Sequence, residues 1–345
     1  MTNHQNQKNL MAKLSKQGRI AREFLQQYPD MSIKALSELL YQRHPTLFKT
    51  EEACRSSLRY HSGTHPTSRV NSSNTIKRNT LFTRENPFGL PESKANIRKF
   101  VKIDGATRIL WLSDIHFPNQ DNEALTVALQ FGLDHNVDCI VLGGDILDNE
   151  PFTSHDAPPP LYSEVREWFD MVDQFLDMLN DKFKCPIHWL EGNHDNWYKR
   201  YLMKKAPVLF HDEYYTLSSR LKLREKGIIW HDQNVILMAG KLPMTHGHMI
   251  VRGIFSPVNP ARGVYMKVKS SMLIGHCHTT SEHSESVLNH DLTTTYSTGC
   301  LCELAPNYDP FNTKHNQGFA MIEVKDNGNY RVHNKRIDYL TKEIY

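Results

Sequence analysis

Three apolar runs too short for helices, in "TRILWLSDIHF" (107–117), "VDCIVLGGDILDN" (137–149) and "PIHWLEGNHDN" (186–196), alternate with two long stretches of helical periodicity, "NEALTVALQFGLDHN" and "LYSEVREWFDMVDQFLDMLNDKF". Each short run reads as a strand that ends in a polar turn, and strand, helix, strand, helix, strand predicts a mixed α/β core. Further on, "GIIWH", "NVILMAG", "KLPMTHGH", "SMLIGHCH", "TTTYSTGC", "GFAMIEV" and "NYRVHNKRI" read mostly as strands, with "DNGN" at 326–329 as a hairpin turn. The chain has no internal repeat, Gly-rich phosphate loop or dinucleotide fingerprint.

Composition narrows the class. With 39% hydrophobic and 23% charged residues the chain reads as soluble and globular. No apolar run approaches the ~20 residues of a membrane span. The first twenty residues lack the apolar core of a signal peptide, so no membrane partner is expected. Six cysteines at 54, 139, 185, 277, 300 and 302 do not suggest a disulfide scaffold. Cys139 lies inside an apolar strand, and Cys300 and Cys302 are too close for an ordinary zinc half-site, so all three read as structural thiols. A reducing, cytoplasmic setting fits this usage. The oligomeric state stays open.

The net charge of +3 is unevenly spread. Residues 1–100 hold 17 Lys and Arg against 7 Asp and Glu, which leaves 24 against 31 for the rest. A basic front on an acidic body suggests two parts with different partners, and DNA is one partner that the front could contact. Within it, "GRIAREFLQQYPD" puts Ile20, Phe24 and Leu25 on one helical face. "MSIKALSELLYQRHP" offers Ser32 as N-cap with Ile33, Leu36, Leu39 and Leu40 at helical spacing. "TLFKTEEACRSSLRYHSG" offers Thr50 as N-cap, with Ala53, Ser57 and Leu58 inward and Arg55 and Arg59 sharing a face. Three short helices of this kind look like a helix-turn-helix, although a helical protein-docking module would show the same periodicity. The expected organisation is a helical domain at 1–65, a Ser, Thr, Asn and Pro-rich linker at 66–103, and a large domain at 104–345.

Five of the strand ends in the large domain finish in metal-ligand residue types: Asp114 and His116; Asp145 and Asp148; Asn193, His194 and Asp195; His246 and His248; His276 and His278. Carboxylate oxygens with imidazole nitrogens suit Mn²⁺, Fe or Zn²⁺. Alternate residues of an extended strand point the same way, so D-x-H and H-x-H are each expected to aim both side chains together. Glycines before Asp145, Asn193 and His276 let the chain turn sharply. Singly each motif is weak, since an H-x-H is more often surface or a satisfied buried pair. Five in order after apolar strands are not chance.

The ordered set D-x-H, G-D-x-x-D, G-N-H-D, H-G-H, G-H-x-H over about 107–325 resembles the calcineurin-like metallophosphoesterases. That resemblance implies an α/β (α+β) sandwich of two mixed β-sheets flanked by helices, here with a small all-α domain in front. It implies two divalent metal ions, Mn²⁺ first among the candidates with Fe, Zn or Ni after it. By motif position Asp114, His116 and His278 would hold one ion, Asn193, His246 and His276 the other, and Asp145 would bridge; His248 would only line the site. Two cations ~3.5–4 Å apart would clamp a phosphoryl group and draw the nucleophile from solvent. His194 would be the general acid, oriented by Asp148, with Asp195 as the rival for that orienting role.

Substrate choice is less determined. Members acting on phosphoproteins carry G-D-x-x-D-R-G and G-N-H-E, whereas here Asn149 follows Asp148 and Asp195 replaces the Glu. Downstream, "NWYKRYLMKKAP" sets Trp197, Lys199 and Arg200 beside the site, cations interleaved with aromatics as a nucleic acid or nucleotide would need. A helix with its aromatics packed inward and its lysines outward would look the same. The arrangement also resembles phosphoesterases of bacteriophages and prophages, implying action in a bacterial host cytoplasm. A nuclease or phosphodiesterase is the first expectation, a phosphomonoesterase with a docking module the second, and a non-catalytic DNA-binding protein the third.

Overall fold

Three hydroxyl side chains start the three helices of the N-terminal part. Ser15 accepts from Gly18 N to open α1 (Lys16–Gln27), Ser32 from Ala35 N to open α2 (Ile33–Arg43), and Thr50 from Ala53 N to open α3 (Glu51–His61). The computed structural model describes residues 15–28, 31–62, 91, 99–153, 162–251, 258–286, 288, 292–305, 311 and 313–345. They fall into two compact units, 1–94 and 95–345. In the first, Phe24 and Leu25 of α1 meet Leu36 and Leu40 of α2, Phe48, and Cys54 and Leu58 of α3. The inward face of α3 differs from the expected one: Cys54, Leu58 and His61 are buried, four and three residues apart, while Ala53 is exposed. Arg55 is tied to Glu51 at 3.1 Å and Glu52 at 2.8 Å on its own helix.

The second unit begins earlier than expected. Residues 99–102, read from the sequence as the end of a linker, form a strand, β1 (Lys99–Lys102), parallel to β6 (Val235–Ala239). Four residues between lysines, with Phe100 exposed, make an edge strand whose pattern is too short to see. The rest of the expected linker, apart from Pro91 and Ile103, lies outside the described residues.

Two six-stranded sheets follow. One runs β12 (Tyr330–Ile337), β11 (Gln317–Val324), β2 (Arg108–Leu112), β3 (Cys139–Leu142), β4 (Ile187–Leu190), β5 (Ile228–His231). β2 to β5 are parallel and β11 is antiparallel to both of its neighbours. The other runs β1, β6, β7 (Leu242–Thr245), β8 (Met272–Ile274), β10 (Leu292–Ser297), β9 (Ser281–Ser286), also mixed. β9 was not expected, because "SEHSES" is polar throughout and sits at an edge.

Alternation along β2 explains why everything after the exposed Arg108 is apolar. Ile109 and Trp111 enter a core with Val141, Leu237, Met244 and Leu273 between the sheets. Leu110 and Leu112 face the other way, into a core with Ala124 and Ala128 of α4 (Asn122–Asp134) and Val172, Leu176 and Leu179 of α5 (Tyr162–Phe183). A strand buried on both faces cannot show a polar side. On the other sheet, Val264 and Val268 of α8 (Pro260–Val268) pack against Met272 and Ile274. Among the described residues the remaining α-helices are α6 (Asn193–Lys205) and α7 (Leu217–Arg220). Among the described residues no helix is long and apolar enough to cross a membrane.

Candidate metal centre

The ligand-type residues begin only after the strands have stopped. β2 ends at Leu112 and β8 at Ile274, so the expectation that extended D-x-H and H-x-H segments aim their side chains by alternation does not hold. Asp114, His116, Asp145, Asn149, His276 and His278 instead have left-handed φ values of 56°, 54°, 52°, 53°, 65° and 51°. Each such non-glycine residue costs about 1–3 kcal/mol unless its surroundings hold it there. Here they do. Main-chain bonds tie the loops together: Asp114 N to Gly144 O and His116 N to Asp145 O (each 3.0 Å), Gly275 N to His246 O (3.0 Å), Leu301 N to Asp114 O (3.0 Å) and Asn316 N to His278 O (2.8 Å). Glycines allow the close approach. A Cβ on Gly192 would lie 2.1 Å from Asp145 Oδ1, and one on Gly144, whose φ is +100°, 2.6 Å from His246 Nδ1.

Two groups of acceptors result. In one, His116 Nδ1 donates to Asp148 Oδ1 at 3.2 Å, which turns its Nε2 toward His278 Nε2 at 3.1 Å, itself 3.3 Å from Asp114 Oδ1. In the other, His246 Nδ1 donates to Gly143 O at 2.9 Å, and its Nε2 faces Asn193 Oδ1 and Asp145 Oδ2, each at 3.1 Å. The ligand atoms of Asp145, His246 and His276 lie within 4.8 Å of one another, as do those of Asp145, His116 and His194, so Asp145 reaches both groups. Carboxylate and amide oxygens gathered this closely around imidazoles call for positive charge among them, from ring protons or from a bound cation. The field agrees: despite burial, the neighbouring imidazoles hold the Asp145 and Asp114 carboxylates below the usual range, and despite burial Asp145 pushes His246 up to about 9. Oxygen and imidazole donors in this arrangement fit divalent metal ions.

Around these groups, His194 Nδ1 donates to Asp148, 2.9 Å from its carboxylate Oδ1 and 2.7 Å from its main-chain O; Asn119 Nδ2 fixes the other carboxylate oxygen at 2.8 Å. Asp195 faces elsewhere. Its carboxylate accepts from Asp145 N, Gly192 N and Trp189 Nε1 on Oδ2 and from Leu147 N on Oδ1, which makes it a brace for the Asp145 loop and the start of α6. His248 lies 5.4 Å, ring to ring, from His246 and 3.1 Å from Gln233 Oε1. On α6 the Trp197 ring is 3.8 Å from that of His194. With Phe152, Arg200, Tyr201, Lys204 and Lys205, Trp197 lines a cavity of about 360 Å³. Lys199 is exposed on the same helix and is not among the lining residues. Tyr198 packs inward, 5.0 Å from Phe152.

Sequence reasoning missed Cys302. Its sulfur and the ligand nitrogens of His116 and His278 lie within 4.8 Å of one another, and both Cys300 and Cys302 are buried. It also missed His315, whose ring is 4.6 Å from that of His278. The only signal was position, since "GCLC" follows β10 as "GHCH" follows β8.

The calcineurin-like phosphoesterase family model matches residues 107–310, more than half of the chain, and the chain belongs to that family. It is therefore a metal-dependent hydrolase of phosphoesters. Similar solved structures include Vps29 complexed with zinc from Entamoeba histolytica (11% identity, 69% of this chain and 96% of that one, TM-score 0.34). Others are a dimetal phosphatase from Danio rerio (11%, 64% and 93%, 0.34) and the phosphoesterase Yfce from E. coli (13%, 66% and 98%, 0.33). No curated protein matches the chain.

Proposed function

We propose that the chain is a two-metal phosphodiesterase acting on nucleic acid or nucleotides. Asp114, His116 and His278 hold one ion, Asn193, His246 and His276 the other, and Asp145 both. The observation that carries the substrate class is the cavity next to His194, where the Trp197, Tyr201 and Phe152 rings stand among Arg200, Lys204 and Lys205. Flat faces with cations suit a phosphate chain that bears bases.

When bound, the ions stabilise charge on the phosphoryl oxygens and make solvent a nucleophile. The chain's own residues do the rest. Burial opposes a charge on His194, but Asp145 and Asp148 raise its pKa, which favours the protonated ring. Its Nδ1 is held by Asp148, leaving Nε2 to hand a proton to the leaving oxygen. Asn119 keeps Asp148 from turning away. Arg200 and Lys204 draw in the phosphates flanking the reacting one. The basic helical unit brings the enzyme to DNA, in keeping with a bacteriophage or prophage protein working in a host cytoplasm.

Turnover of bis-p-nitrophenyl phosphate against p-nitrophenyl phosphate, with Mn²⁺ supplied, tests the reading. Diester preference supports it, and lower KM for an oligonucleotide in wild type than in Trp197→Ala supports the cavity. Strong monoester preference overturns it in favour of a phosphomonoesterase.

A further inference from the structure

Beside the His116 and His278 rings lies a thiol that the family motifs do not include. The sulfur of Cys302 and the ligand nitrogens of both rings fall within 4.8 Å of one another, and Asp114 Oδ1 is 3.3 Å from His278 Nε2. Two nitrogens and a sulfur thus form one group, with the Asp114 carboxylate beside one of the nitrogens.

The main chain fixes Cys302 there. Leu301 N donates to Asp114 O and Asp121 N to Leu301 O, each at 3.0 Å, and Glu303 N donates to Asn119 O at 2.9 Å. A bridge pairs Cys302 itself with Gln120, and Gln317 Nε2 donates to its carbonyl at 3.2 Å. The segment that carries the thiol is therefore registered against the loop that carries Asp114 and His116. A side chain held from both sides, next to residues that bind a cation, is preorganised for that cation. Cys300 is buried next to Cys302: its Sγ lies 3.6 Å from the Asn316 carbonyl and 3.9 Å from that of Cys302, and its side chain also interacts with His278, so the two thiols have to be told apart by substitution.

We propose that Cys302 gives a sulfur donor to the ion held by Asp114, His116 and His278, so that this half of the centre selects Fe²⁺ or Zn²⁺ over Mn²⁺. Thiolate is a soft ligand and Mn²⁺ a hard ion. As the sulfur–metal bond forms, the S–H bond breaks and its proton leaves to solvent. The proposal rests on the two-ion reading above and adds a donor to it.

Full-length protein loaded with Co²⁺ tests it by absorption. Wild type and Cys300→Ser should show a near-ultraviolet sulfur-to-cobalt charge-transfer band, and Cys302→Ser should lose the band while its cobalt content stays at two per chain. X-ray absorption of the Zn²⁺-loaded wild type needs no variant and should show a sulfur at about 2.3 Å. Wild type holding two cobalt ions with neither band nor sulfur shell overturns the proposal alone, as does a band that survives in Cys302→Ser. Wild type that holds no cobalt overturns the two-ion reading and this proposal with it.

Discussion

Asp148 serves two rings at once. One carboxylate oxygen meets His194 Nδ1 at 2.9 Å and His116 Nδ1 at 3.2 Å, which couples the proposed acid to a proposed ligand. His194→Ala removes the proton donor and leaves the acceptor groups intact. Metal content should stay at the wild-type level while kcat falls by about 10²–10⁴ for poor leaving groups and much less for p-nitrophenolate. Metal analysis with a series of aryl phosphoesters measures both, and equal losses across the series would count against the acid role. At this scale the sequence displayed residue types but not backbone. Asp114 and His278 are recognisable as ligand chemistry in any order of letters, whereas their left-handed φ depends on bonds from Gly144 and Asn316 that no local pattern records. The surroundings of Asp195, the rival to Asp148 for orienting His194, were hidden for the same reason: only the fold reveals that four N–H groups converge on it.

Strands and helices were easier to read where burial was two-sided. β2, β3 and β4 are buried on both faces and so mostly apolar, with Arg108 at the start of β2 and His188 within β4 as the exceptions, and the DNGN turn closes β11 onto β12 with Lys325 N donating to Asn329 O at 2.8 Å. The start of α6 was hidden, since Gly192 caps it without a side chain; Asp195, three residues on and accepting from Gly192 N, was the available clue. That junction is tight. Gly192→Ala should displace Asp145 and lower metal affinity by about tenfold or more, read by competition with a chelator, because the added Cβ would sit 2.1 Å from its carboxylate. Between β4 and β5, His188 Nδ1 lies 2.9 Å from His231 Nε2 in a stacked, buried pair. Burial first and His188 second push His231 down to about 4. The unfolded chain then binds more protons in the window below the ordinary 6.5, so this pair's contribution is complete above that pH and is lost as pH falls toward 4, by about 2–3 kcal/mol. Thermal melts across that window should be flatter for His231→Gln than for wild type.

At the level of the whole molecule the sequence revealed a division of charge, and the structure divides the chain at residue 94. What the basic unit binds was not legible, because α1 to α3 would pack alike in a DNA reader and in a protein-docking module, and Arg55 is already paired within its own helix. Full-length affinity for duplex DNA should fall by roughly 10² or more between about 50 and 200 mM salt. A chain lacking residues 1–94 should lose most of that affinity yet turn over bis-p-nitrophenyl phosphate as before; gel shift and a colorimetric assay separate the two. Leu301 N to Asp114 O and Gly275 N to His246 O knot the rim of the centre through main-chain bonds. Chelation should therefore leave the melting transition largely in place, and turnover should return when ions are resupplied; thermal denaturation before and after chelation reads the first and a colorimetric assay the second.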